Sequence, residues 1–384
     1  MKIAAAFIIG VYIILTALII GTDIFTSVIE RYSHFHIGQW SNTYEWKNAV
    51  MNVCIRWALK TPILRLKKDC RYLLLDQIRG VYGKAMVQSW QKAGCVLGLQ
   101  EVGYSKVQKK IKAQVLDSTG DWVVHVNKID YAMLAYSLLK KENPDSIQNA
   151  MDHMAQCIEA NLCQDGMISY SGGKEATRRY VDTLGFVCPF LARYGKVYHK
   201  PRYIEIAVDQ IRLFRQKGMI RGLPVHCFET ENDYPIGVCG WGRGTGWFAL
   251  GIIDLYIELE NDCLKEMLKG WIRELAHTSR QFELSDGGFS TILPAKNAYD
   301  SSATAMLGYF FARCGEILSD SDYTELAARC QKRLMRVTKI NGVVDECQGD
   351  TIDIGIFSER FASMPFVQGM ALRLAAVLDN TTGE

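Results

Sequence analysis

Apolar residues run from Ile3 to Thr22 without a single charge, as IAAAFIIGVYIILTALIIGT. A helix of about 20 such residues is long enough to cross the hydrocarbon core of a bilayer. A cleaved signal peptide is the alternative reading. It calls for a shorter apolar core followed by a small-x-small cleavage site, and Leu18-Ile-Ile-Gly-Thr-Asp23 offers no such site. The pattern therefore predicts a single-pass transmembrane anchor over residues 1–23. From Ser41 to about Lys84 the spacing changes to that of an amphipathic helix, with Trp46, Val50, Val53 and Trp57 and then Leu64, Leu66 and Leu73 on one face. This predicts a helical connector over 24–84, packed on the main domain.

Beyond residue 84, helical periodicities alternate with short glycine-marked loops, and strand-like alternation is scarce. The loops resemble one another. Gln164-Asp-Gly-Met-Ile168, Lys217-Gly-Met-Ile220, Asp286-Gly-Gly-Phe289 and Asn341-Gly-Val-Val344 each set a glycine before a short apolar stretch. Their spacing, roughly 50 to 70 residues, suits two helices and their connections. A set of helical hairpins buries its apolar faces without exposed ends by closing into a ring of inner and outer helices. The expectation is an all-α toroid over 85–384, with loops at one end of the inner helices converging on a central cavity.

Composition adds exclusions. The chain has 384 residues and a formal net charge of +3, and its basic clusters, Arg65-Leu-Lys-Lys68 and Lys109-Lys-Ile-Lys112, are short. They read as solvated helix faces, and nucleic acid is not an expected partner. Twelve cysteines are scattered without a CxxC pair, so neither a zinc site nor a disulfide framework is expected. Lys2 and the terminal amine outweigh the nearly cancelling Asp23, Glu30 and Arg31. The positive-inside rule thus places the amino terminus in the cytoplasm and the toroid outside it. Thiols that read as free and buried lean the other way, toward a reducing compartment.

Candidate chemistry gathers at the helix junctions. In Cys239-Gly-Trp-Gly-Arg-Gly-Thr-Gly-Trp247, glycine occupies every second position between two tryptophans and an arginine. Glycines there permit positive φ and close approach of a ligand to the backbone. Trp241 and Trp247 suit the apolar face of a sugar, and the Arg243 fork suits a carboxylate. A tight turn with two core tryptophans is the structural alternative. Neither GxGxxG nor a P-loop is legible in the stretch. Asp130 and Asp182 each open an apolar helical run, one hairpin apart. Two carboxylates in one cavity suit general acid/base chemistry on a glycoside, one held protonated by burial and by the other's charge. Alternatively each caps its own helix.

Three motifs in order, YVDTLGFVCPFLARYG from Tyr180, CGWGRGTGW from Cys239 and DSSATAM from Asp300, resemble those of the unsaturated uronyl hydrolases of glycoside hydrolase families 88 and 105. The resemblance runs from about Met86 to about Leu378, and the WGRGTGW form is closer to the unsaturated rhamnogalacturonyl hydrolases. It implies an (α/α)6 barrel and removal of a terminal 4,5-unsaturated uronic acid from an acidic oligosaccharide, by hydration of its double bond, with no metal or cofactor. It further implies Asp182 as general acid/base and Asp130 as the group that orients substrate and raises the pKa of its neighbour. His226 would lie in the sugar site, Trp241 and Trp247 would stack on sugars, and Arg243 would bind the uronate carboxylate or hold its loop through backbone carbonyls. Two other functions fit the same sequence. One is an inactive glycan-binding or polysaccharide-assembly protein on the same barrel. The other is a hydrolase of a saturated glycoside, which needs a further carboxylate such as Glu229 or Asp233.

Overall fold

The computed structural model describes residues 2–62, 74, 78, 88–351 and 353–382. The expected continuation of the connector helix through Leu64, Leu66 and Leu73 lies outside these residues, as does the cluster Arg65 to Lys68. Among the described residues the chain is mainly helical. An amino-terminal helix, α1 (Lys2–Phe35), is followed by six outer helices, α2 (Thr43–Leu59), α4 (Gln108–Val115), α6 (Gln148–Ala160), α8 (Pro201–Lys217), α10 (Asp262–Arg280) and α12 (Ser321–Arg336). These alternate with six inner ones, α3 (Ser89–Glu101), α5 (Tyr131–Leu139), α7 (Asp182–Val197), α9 (Gly242–Glu258), α11 (Ser301–Leu318) and α13 (Pro365–Thr382). Each inner helix packs on the next, and α13 packs on α3 to close the ring.

The two layers differ as their surroundings demand. Inner helices are apolar on nearly every side, because they touch neighbours all round; α11 is buried from Ser301 to Ala312. Outer helices carry one apolar stripe, as in α12, where Tyr323, Leu326, Ala327, Cys330, Leu334 and Met335 face inward. Ring closure depends on backbones meeting. A Cβ on Gly369 of α13 would fall 1.8 Å from the Gly94 carbonyl oxygen of α3, and one on Gly98 would fall 2.6 Å from that of Gly369. The barrel axis at the far end is filled by paired charges. Arg373 donates to both Asp254 oxygens, at 2.8 and 2.7 Å, and to Glu101 at 3.1 Å, while Arg193 and Tyr136 satisfy Glu258. Buried charge is tolerable there because each group has a partner.

Two of the four expected glycine loops, at Gly166 and Gly342, share a design with the turn at Gly120, whereas Gly218 takes a negative φ and no isolated bridge closes Asp286 to Phe289. Outer helices α4, α6 and α12 each end in a tight turn closed by one antiparallel bridge, Leu116 to Trp122, Leu162 to Ile168 and Thr338 to Val344. Gly120, Gly166 and Gly342 supply the positive φ that each turn requires.

The structure departs from the sequence expectations in three places. It is not wholly α: β1 (Arg178–Tyr180), β2 (Met219–Ile220), β3 (Leu223–Glu229) and β4 (Tyr234–Cys239) form an antiparallel sheet on the rim, and β5 (Cys347–Gln348) pairs with β6 (Phe361–Ala362). Strand β3 escaped notice because it is buried at almost every position and so does not alternate. Helix α1 does not stop at residue 23, the expected end of the apolar segment. It runs on to Phe35, and its end meets the barrel through a His34–Asp345 pair at 3.5 Å. Finally, α2 is built into the outer layer between α13 and α3, with Trp46, Val50, Val53, Cys54 and Ala58 buried, rather than forming a separate connector. Helix α1 is the one described helix long and apolar enough to cross a membrane, and its apolar window has a mean hydropathy of 2.8 with none of it buried against the barrel.

Candidate active site

The amino-terminal turns of the inner helices point to one end of the barrel. There they meet the sheet and the loop after β5 around a cavity of about 350 Å³. Asp182 stands on the first turn of α7, which β1 leads into; the Val181 amide bonds the His226 carbonyl of β3 at 3.0 Å. The same strand brings the His226 Nε2 to 3.7 Å from the Asp182 Oδ2. Asp182, His226, Trp241, Arg243 and Trp247 therefore share the cavity wall. Asp130 does not belong to that wall. It lies at the head of α5, only 6% exposed, and its Oδ1 has no hydrogen-bond partner among the described residues.

Capping is not the task of either aspartate. Asp130 sits at a cap position yet makes no side-chain cap bond, and α7 is capped at Val181 without one. Asp300 is the residue that caps. Its carboxylate accepts the Ser302 amide at 2.9 Å and the Ser302 hydroxyl at 2.6 Å, as well as the Gln348 amide at 3.0 Å. The DSSATAM motif thus fixes a helix start and the loop beside it.

Burial pushes the Asp182 carboxyl up to about 7; the Arg243 charge offsets part of the rise, and Asp350 adds to it. The neighbouring like charge is thus Asp350, a residue the sequence did not single out, and not Asp130 as expected. Asp130 is itself raised to about 6 by burial, against the pull of the Lys128 charge. His226 is pushed down to about 4 by burial and by the Arg243 charge, so its ring is neutral at neutral pH. Its Nδ1 has no partner among the described residues, which suits a donor or acceptor turned to a ligand. An acid that still holds its proton near pH 7, beside a neutral imidazole, is equipped to give a proton and then take one back.

Other expectations change with the packing. Arg243, 1% exposed, spends its Nη1 on the Gln348 carbonyl at 2.5 Å and its Nη2 on that of Gly349 at 2.8 Å. Of its two sequence roles, the geometry shows the loop-holding one. The glycines around it serve packing rather than ligand approach. A Cβ on Gly242 would lie 2.3 Å from the Ser290 oxygen and one on Gly246 would lie 2.8 Å from Met306, while Gly240 alone of the four takes positive φ. Trp247 is enclosed by Trp90, Phe186 and Phe366, with ring centroids 5.6, 4.7 and 5.6 Å away. Trp241 lies against His226 at 4.7 Å and Phe357 at 5.3 Å. The half-buried rings on the wall are Tyr170, which stands in no motif, and Tyr180, which opens the YVDTLGFVCPFLARYG motif but was given no role there. Glu229 pairs with Arg178 and Asp233 with Lys217, and neither carboxylate walls the cavity.

The family model described as Glycosyl Hydrolase Family 88 matches residues 74–375. Among solved structures, a possible member of family 105 from Salmonella enterica is 18% identical, over 89% of this chain and 96% of that one, with a TM-score of 0.70. An unsaturated glucuronyl hydrolase specific for heparin is 13% identical, over 88% and 98%, at 0.67. An unsaturated glucuronyl hydrolase from Bacillus sp. GL1, responsible for glycosaminoglycan degradation, is 16% identical, over 89% and 97%, at 0.62. At these identities the likeness establishes the fold. Comparison with curated protein sequences finds no significant match. With most of its length matched by the family model, the chain belongs to glycosyl hydrolase family 88.

Proposed function

We propose that the protein is a glycoside hydrolase that removes a terminal 4,5-unsaturated uronic acid from an oligosaccharide by hydrating its double bond. The observation that carries this reading is the Asp182 carboxyl, raised to about 7 in a cavity of a family 88 barrel, with a neutral His226 3.7 Å away. Protonated Asp182 delivers its proton to C4, and the enol ether becomes an oxocarbenium ion centred on C5. The carboxylate so formed takes a proton from the water that adds to C5, which regenerates the acid. The resulting hemiketal opens to a ketone at C5 and a hemiacetal at C1, which expels the sugar alcohol. Asp350 helps hold the acid in its protonated form, and His226 positions the substrate or the water. The substrate carboxylate finds its complement in the inner-helix amino termini, whose dipoles and first-turn amides favour an anion.

On the WGRGTGW motif we place the substrate nearer the rhamnogalacturonyl type. Fold likeness alone does not separate the two types, since family 105 and glucuronyl hydrolase structures match about equally well. We also assign α1 as a single-pass anchor that carries an extracytoplasmic barrel, supported by its length, exposure and apolar run. The test of activity is loss of the near-ultraviolet absorbance of the unsaturated uronate across lyase-generated oligosaccharides, with Asp182→Asn as control. Loss that persists unchanged in the control refutes the assignment.

A further inference from the structure

The way α1 joins the barrel fixes how the catalytic cavity is turned. The join is a helical hairpin. At its base the Gly38 amide donates to the Thr338 carbonyl at 3.3 Å and the Trp46 Nε1 donates to the Thr338 hydroxyl at 2.8 Å, so the end of α1 and the start of α2 meet one residue. Higher up, Thr26 and Ile29 of α1 line a cleft of about 300 Å³ together with Trp57 of α2 and Pro62 beyond it. From Phe35 back to Thr26 is about 14 Å of helix and from Trp46 to Trp57 about 17 Å, so α1 and α2 run antiparallel side by side. Helix α2 then gives the direction. Near its start Lys47 pairs with Asp379 in the last turns of α13, whereas Trp57 shares the cleft with Ala362 and Met364, just before α13 begins. Inner helices begin at the catalytic end, so α2 points toward that end and α1 leaves the barrel from it.

The cleft also touches Gly349 and Asp350, and Asp350 walls the catalytic cavity on its other side. One loop thus separates α1 from the catalytic cavity. The charge-free run ends at Thr22, and Thr26 and Ile29 stand roughly 6 to 10 Å farther along the helix, about the thickness of a lipid headgroup layer. We propose that the barrel turns its catalytic mouth toward the bilayer and acts on unsaturated uronyl glycans tethered to the membrane surface. This rests on the proposed hydrolase and on α1 as a membrane anchor. A glycan free in bulk solution must enter the gap between barrel and lipid from the side. One fixed to a lipid is held at the height of the mouth, at an effective concentration set by its tether. In the opposite orientation the height of the barrel, about 28 Å for the 19 residues of α10, would stand between the lipid and the site.

The test uses the full-length protein reconstituted in phosphatidylcholine vesicles whose headgroups carry an acceptor dye. A donor dye is attached through a clickable non-natural residue in place of Ile356, exposed in the loop after β5, or of Cys263, exposed at the start of α10 on the far end. Energy transfer from the Ile356 position should exceed that from the Cys263 position severalfold. Equal or reversed transfer, or none from either, overturns the proposal. Turnover is read separately, on a 4,5-unsaturated uronyl disaccharide joined through its reducing end to phospholipid by a linker of about 10 Å, the stand-off of the loop, or by a long flexible one, and on the same disaccharide in solution. The short-linked glycan should be hydrolysed at least as fast as the long-linked one, because effective concentration falls as a tether lengthens. A short-linked glycan hydrolysed more slowly than the long-linked one refutes access from the membrane side. Higher transfer from the Ile356 position with no hydrolysis of any form sinks the hydrolase and keeps the orientation.

Discussion

Replacing Asp182 by Asn removes the proposed proton donor and, on the same argument, relieves the fold of a cost. The folded carboxyl is held at about 7, against 3.8 for the free side chain. In the unfolded chain it ionises near pH 4, whereas the folded barrel keeps the proton until about pH 7. Between these limits the folded state binds more protons, so stability falls as pH rises through this window. A rise of about three units corresponds to roughly 4 kcal/mol once pH exceeds 7, and to nothing below 4. Asparagine does not titrate, so its stability relative to wild type should climb by up to about 4 kcal/mol between pH 4 and pH 8. The assay is urea unfolding of both proteins in the same detergent, followed by tryptophan fluorescence at half-unit pH intervals. His226, lowered to about 4, stays in both proteins, so its own titration largely cancels in the difference. Turnover should fall by about 10³ or more, as expected for loss of a general acid. A stability difference flat from pH 4 to pH 8 refutes the claim that burial holds this proton, and with it the assignment of the acid.

Three further outcomes test the surroundings. Arg243→Lys should lower stability by about 1–3 kcal/mol, because an ammonium cannot reproduce the fork that holds the Gln348 and Gly349 carbonyls. A raised KM with unaltered stability would instead return Arg243 to direct recognition of the uronate. Gly369→Ala sets a methyl group 1.8 Å from the Gly94 oxygen at the ring closure. It should cost at least the ~1–3 kcal/mol typical of overpacking, seen as a lowered melting temperature or loss of soluble barrel, and an unchanged melting temperature would contradict the packing described. Removal of Met1 to Asp23 should release a folded barrel from membranes and leave the His34 contact in place. Continued sedimentation with vesicles would place lipid contacts outside the apolar run.

Legibility followed the range of the interaction. The glycine turns at Gly166 and Gly342 were readable because each is a local event, a glycine with positive φ inside one bridge that spans six residues. Asp182 and His226 were also found, although their 3.7 Å approach joins positions 44 apart, because both stand in or near motifs. Asp350 and Tyr170 stand in none, and Tyr180 opens a motif without a role of its own; only the loop after β5 and the rim sheet bring them to the wall. Strand β3 was hidden for another reason: buried on both faces, it lacks the alternation by which a strand declares itself.

By itself the sequence determined what depends on neighbours along the chain: the apolar run of α1, the alternation of inner and outer helices, and the glycine turns at Gly166 and Gly342. These rest on periodicity and backbone sterics, which act over a few residues. The tertiary structure alone decided that α2 completes the outer layer, that Arg243 grips a loop more than 100 residues away, and that Asp350, not Asp130, is the charge pressing on Asp182. Burial and electrostatic coupling depend on distances through space, and a sequence states those only after it has folded.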